Sequence, residues 1–147
     1  MTSEVQFPKD VLVGGVSRSS RWANLPLSLV EVERVIQEMS PADSMRPESA
    51  GWEWVEMIGE RKTPDGARNL VIGRCSEDRF SCRLWDDVDG EMIVVDRDET
   101  DDSIPVFLGD KGETSRKWTT SLDSCLAAVR AFWMDGSIAQ TLPWEAV

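Results

Sequence analysis

Between residues 52 and 108 the chain repeats one pattern: a short apolar or alternating run, then turn residues. Helical periodicity occurs only on either side of that stretch. This arrangement excludes a helical bundle and a regular alternation of strands and helices. It predicts an α+β fold, with consecutive antiparallel strands and helices packed on one face. The runs "WEWVEMIG", "NLVIGRC", "RFSCRLW", "EMIVV" and "IPVFLG" give a meander of about five strands. Turn signatures stand between them at Pro64, Asp65 and Gly66, and again at Asp89-Gly90. Pro105, early in its run, predicts an edge position. "VLVGG" reads as one more short strand, and "SRSSRWANLP" as a loop.

The central pair is the clearest. A turn at Glu77 and Asp78 puts Cys75 opposite Phe80 and Gly73 opposite Cys82. Val71, Cys75, Phe80, Cys82 and Leu84 then share a buried face, and Arg74, Arg79, Ser81 and Arg83 share a polar one.

An N-terminal helix is predicted over residues 28–40. Ser28 and Glu31 have capping-box spacing, Leu29, Val32, Val35, Ile36 and Met39 form a stripe, and Pro41 stops it. The C-terminal helix begins at a cap of Thr120 with Asp123. Its stripe is Leu122, Cys125, Leu126, Val129, Phe132 and Trp133, and it ends at Gly136. At 147 residues, one domain over residues 1–147 is expected.

Chemistry is poorly supplied. The chain has no histidine and no tyrosine, so the usual general bases are missing. "GGVSRSS" has Ser19 where the nucleophile elbow needs its second glycine, and no phosphate-binding glycine loop occurs. With 27 acids, some carboxylate pair will always lie close, so a carboxylate-dependent enzyme has no particular candidate. An enzyme is not expected, and neither is a cofactor. Cys75, Cys82 and Cys125 have no C-x-x-C spacing and no histidine beside them, so they read as buried free thiols rather than metal ligands. An EF-hand starting at Asp96 fails, because Asp101 stands where glycine is needed and Phe107 where the closing glutamate is needed.

Charge is more telling. The formal net charge is −11, which repels nucleic acid and anionic membranes and attracts basic proteins. No apolar run is long enough to span a bilayer, and "MTSEVQFPKD" lacks a secretory pattern, so a cytoplasmic protein is expected. Five of the seven residues 96–102 are acidic: Asp96, Asp98, Glu99, Asp101 and Asp102. From residue 86 to 113 there are eleven acids against two bases. On one reading this is a solvated loop; on the other it is a negative rim for a basic partner. Seven tryptophans favour the second, since tryptophan is enriched at binding hot spots. Trp133 belongs to the helix stripe and so to the core. Trp85, on the polar side of its strand beside Asp86, Asp87 and Asp89, and Trp118, just after the acidic segment, are the candidate anchors. The expected partner surface is therefore Trp85, Asp86, Asp87, Asp89, the five acids of residues 96–102, and Trp118.

The C-terminal stretch "WTTSLDSCLAAVRAFWMDGSIAQTLPWEA" resembles the end of a family of bacterial immunity proteins, the first-numbered Imm family of polymorphic toxin systems. Ala128, Phe132, Gly136, Leu142 and Trp144 carry the resemblance. It implies an inhibitor that covers the active site of a cognate toxin, with a basic nucleic-acid-acting enzyme such as a deaminase or nuclease as the expected target. An acidic nucleic-acid mimic or adaptor for basic proteins in general is the alternative. Read physically, Phe132 and Trp133 anchor the last helix, Gly136 lets the chain reverse, and Trp144 folds back as an apolar plug.

Overall fold

The computed structural model describes residues 8–14, 22–24, 28–44, 53–60, 67–86, 90–108 and 111–147. Seven antiparallel strands form the main sheet: β1 (Pro8–Gly14), β2 (Trp22–Asn24), β3 (Trp54–Glu60), β4 (Ala67–Arg74), β5 (Phe80–Asp86), β6 (Gly90–Val94) and β9 (Trp144–Ala146), in the order β2-β1-β3-β4-β5-β6-β9. A separate hairpin comprises β7 (Ser103–Phe107) and β8 (Lys111–Ser115). Two helices, α1 (Leu29–Gln37) and α2 (Leu122–Asp135), complete the fold. The α+β class and the β3-β4-β5-β6 meander follow the pattern of the sequence. Strands β8 and β9 arise where that pattern was silent, and β2 (Trp22–Asn24) lies in the segment expected to be a loop, drawn into the sheet by pairing with β1. The "IPVFLG" run is no edge of the main sheet; as β7 it pairs only with β8.

Both helices lie on the same face of the sheet. Val11, Val13, Val55, Met57, Leu70, Ile72, Phe80, Cys82, Leu84 and Val94 point toward Val32, Ile36, Met39, Cys125, Leu126, Val129, Phe132 and Trp133. The stripes of both helices are buried as their spacing requires. Ser28 caps α1 as expected, but Ser121, not Thr120, caps α2: its hydroxyl accepts from the Ser124 N–H at 3.2 Å. Gly136 ends α2 at φ 74°, a left-handed backbone that glycine adopts without strain. Trp144 packs against the core from β9 and donates its indole N–H to the Ala139 carbonyl. All three cysteines are free and buried.

The β4–β5 register differs by one residue from the sequence expectation. Arg74 pairs with Phe80, Ile72 with Cys82 and Leu70 with Leu84. The turn is longer than expected, closed by the Cys75 N–H donating to the Arg79 carbonyl at 2.8 Å. A one-residue slip exchanges the two faces of a strand. Leu70, Ile72 and Arg74 therefore face the helices, while Val71 and Cys75 face the other way. Leu70, Val71 and Ile72 are apolar in succession, on both faces of the strand, so alternation alone could not choose.

The misplaced charge is accommodated at the sheet end. Arg74 lies 5.3 Å from the Phe80 ring centre and donates to the carbonyls of Met39 and Gln37, beyond and within the last turn of α1. At the opposite end of β4, Arg68 donates to the Gly136 carbonyl that closes α2 and pairs with Asp86 at 2.8 Å. Each helix thus delivers its negative end to an arginine of the same strand, which is favourable for the helix dipole. Since these arginines sit at opposite ends of β4, α1 and α2 run antiparallel. Glu33 of α1 pairs with Arg130 of α2 across their contact.

Candidate functional site: the second face of the sheet

The face turned away from the helices is only partly covered. Near the β4–β5 turn it is capped by the hairpin. Ile104 and Val106 of β7, with Leu108, pack on Cys75. Contact is tight there: a Cβ on Gly73 would stand 2.7 Å from the Leu108 side chain and from the Phe107 carbonyl oxygen. Along β5 the cover then runs out. Ser81 is fully buried, Arg83 is half-buried, and Trp85 is 44% exposed. These three alternate residues share one side of the strand.

Arg83 is the centre of this region. Its guanidinium pairs with Glu91 of β6 at 3.1 Å, reaches the Thr114 hydroxyl of β8 at 3.4 Å, and lies 5.9 Å from the centre of the Trp118 ring. Trp118, in a 3-10 turn at Arg116–Trp118, keeps 38% of its surface exposed. Arg83, Ser103, Glu113, Thr114, Ser115 and Trp118 line a depression of about 440 Å³. On the other flank, Asn69 of β4 neighbours Trp85 and donates to the Glu56 carboxylate at 3.1 Å. Burial raises the Glu56 carboxyl above its ordinary value, and the Asn69 hydrogen bond opposes that only in part.

Three side-chain atoms among the described residues are buried without a partner: Asn69 Oδ1, Ser81 Oγ and Arg83 Nε. All three belong to this second face. A structural core seldom leaves such groups unpaired.

The acidic loop is a different matter. Its backbone is zipped to the 3-10 turn: the Asp96 N–H donates to the Lys117 carbonyl at 2.7 Å, and the Arg116 N–H to the Asp102 carbonyl at 2.9 Å. Its side chains are largely matched as well. Arg79 pairs with Asp96 at 3.0 Å, Arg116 with Glu99 at 2.7 Å, and Lys117 with Asp101 at 3.5 Å. Glu99 raises the Arg116 guanidinium further above its usual range, through a hydrogen bond and through charge. With Arg97 in the loop itself, the five acids face four cations, so the segment is locally almost neutral. Asp98, Asp101 and Asp102 remain exposed.

The expected partner surface is accordingly redrawn. Trp85 and Trp118 are exposed and belong to one face. Asp86 does not belong there. It is 2% exposed, points to the helix side and is held by Arg68. Asp87 and Asp89 lie outside the described residues, as do Trp52 and the turn at residues 64–66. Asp96, Glu99 and Asp101 form ion pairs within the chain. Of the residues that complete the site, Arg83 was legible as a polar-face neighbour of Trp85 two positions away. Glu56, Asn69, Glu113 and Thr114 carried no signal, because only strand pairing and the hairpin bring them near.

The cysteines offer little chemistry. Burial pushes the Cys75 thiol up to about 12, against the pull of Arg83 and Arg79. Cys125, hydrogen-bonded to Cys82 and fully enclosed, is also raised. Thiols so held are poor nucleophiles. No group of three or more metal-ligating side chains converges among the described residues, and none of their helices is long and apolar enough to cross a membrane. No family model, curated protein or solved structure matches the chain.

Proposed function

We propose that this chain is a binding protein that neutralises a basic protein toxin, as an immunity protein does. The second face of its sheet is the contact surface. One observation carries the reading: two tryptophans, Trp85 and Trp118, stand exposed on that face on either side of Arg83. Large aromatic side chains left in water cost solvation free energy unless something covers them. Tryptophan and arginine together are the residue types that dominate binding hot spots. The net charge of −11 favours a basic partner and speeds its approach. The toxin-neutralising role rests on the C-terminal resemblance of Ala128, Phe132, Gly136, Leu142 and Trp144, and on that alone.

The pairing inside the acidic loop alters how the partner is held. A rim of free carboxylates would bind many basic proteins alike. A Trp-Arg surface whose arginine is already matched by Glu91 discriminates by shape and favours one partner over a general nucleic-acid mimic's many.

Co-expression with a candidate toxin from a neighbouring gene tests the role, with growth as the readout. Growth should be restored by the native chain and not by the double variant Trp85→Ala, Trp118→Ala, whose complex should dissociate at least about thirtyfold faster. Equal protection by a double variant that melts like the native chain would remove this face from the interface. Failure of the native chain to protect, or to co-purify with the toxin, would remove the function.

A further inference from the structure

The depression beside Trp118 has the chemistry of a receptor for one particular group. Arg83 contributes little to an incoming anion. Glu91 already offsets its charge, and its Nε, which has no partner, is sealed from solvent. What does reach solvent is the Trp118 ring, the Glu113 carboxylate, and the hydroxyl-bearing residues Ser103 and Ser115. Glu113 and Ser115 are alternate residues of β8, and Ser103 pairs with Ser115 across the hairpin. They therefore line one side of the hairpin at the mouth. An aromatic surface beside an exposed carboxylate attracts a cation by two routes at once, ring quadrupole and charge.

Resting on the partner-binding reading above, we propose that this depression receives an arginine or lysine side chain of the partner. The cation lies against the exposed part of Trp118, its charge is matched by Glu113, and its remaining N–H groups donate to the Ser103 and Ser115 hydroxyls. Charge complementarity selects this occupant: a chain at −11 with Glu113 at the mouth disfavours a carboxylate. Arginine is preferred over lysine, because its planar group stacks on the indole while keeping donors free at its edge. Trp85, farther along β5, then meets an apolar part of the same partner.

The test needs no partner protein. The indole N–H signals of isotopically labelled chain are followed by NMR while blocked tripeptides are added: acetyl-Gly-Arg-Gly-amide, its lysine counterpart and its glutamate counterpart. Trp118→Phe assigns the Trp118 signal. The arginine peptide should shift that signal saturably, in the millimolar range expected for one side chain in one site. Lysine should bind more weakly, and glutamate not at all. Glu113→Gln should weaken the arginine peptide about three- to fivefold and reduce the effect of salt. Stronger response to the glutamate peptide, or no Trp118 response to any peptide, overturns the proposal. So does unchanged affinity in Glu113→Gln. A shift of Trp85 alone also overturns it while leaving the second face as the contact surface, so this outcome is separable from failure of the co-expression assay.

Discussion

The two faces of the central sheet follow opposite rules. On the helix face, apolar side chains from seven elements, β1, β3, β4, β5, β6, α1 and α2, interlock, and the two strand arginines serve the helix ends. On the other face a two-stranded hairpin covers one end, and polar side chains, partly unpaired, lie beside the buried Ile93 on the rest. The difference teaches where packing is complete and where, on the reading proposed above, a partner would dock. A surface that is both well packed and fully hydrogen-bonded has nothing left to offer a partner. A surface with exposed indoles and unfinished hydrogen bonds has been kept short of that state.

The comparison is broken most severely by removing a helix-face side chain. Phe132→Ala should cost about 3–5 kcal/mol, through lost burial and the cavity left behind. Denaturant unfolding would measure it; a loss below about 1 kcal/mol would mean that this face is not the core. Asp86→Ala comes next. It strips Arg68 of its buried partner, and a loss of about 3 kcal/mol is expected, somewhat discounted because Arg68 is partly exposed. The same variant should leave partner binding unchanged, which separates Asp86 from the surface to which its sequence neighbours pointed.

Gly73→Ala tests the hairpin side. Its new methyl would meet the Phe107 carbonyl, which is backbone and cannot swing aside, so the hairpin must move. A cost of about 1–3 kcal/mol is expected, with changed hydrogen-exchange protection in β7 and β8 but not in α1. Trp85→Ala should be nearly silent in stability, within about 0.5 kcal/mol, while speeding dissociation of the proposed complex.

Glu56→Gln sharpens the comparison through pH. Burial raises the folded-state carboxyl above its ordinary 4.5. Its ionisation therefore opposes folding. That penalty is absent below the unfolded value and develops as pH rises through the folded one. Glutamine removes it, still accepts from Asn69 and can donate to the unpaired Asn69 Oδ1. The variant should melt higher than the native chain at about pH 7 and equally at about pH 3.5. The reverse pattern would mean that the carboxylate is held by something more than Asn69.

The five acids of residues 96–102 show how a sequence can mislead. Counted along the chain, they form a negative stretch. In space Arg79 comes from the β4–β5 turn, and Arg116 and Lys117 come from the far side of the hairpin, to match them. Charge is additive over distance, not over sequence, so a linear count has no access to partners seventeen residues away. Helices were legible for the opposite reason. Their stripes, caps and stops are local, spaced three and four residues apart, and Val32, Ile36, Val129 and Phe132 could be placed in the core from spacing alone.

From the chain's order of residues alone came the α+β class, both helices with their buried stripes, four of the five strands expected in the meander, the stop at Gly136 and the placing of Trp85 and Trp118 at the surface. Each depends on neighbours within a turn or a strand's length, where backbone geometry leaves few choices. Only the tertiary structure decided the β4–β5 register, the burial of Asp86, the neutralisation of the acidic loop and the meeting of Arg83 with Trp118. Those depend on which distant segments share a volume, and that is settled when the two faces of one sheet compete for the same side chains.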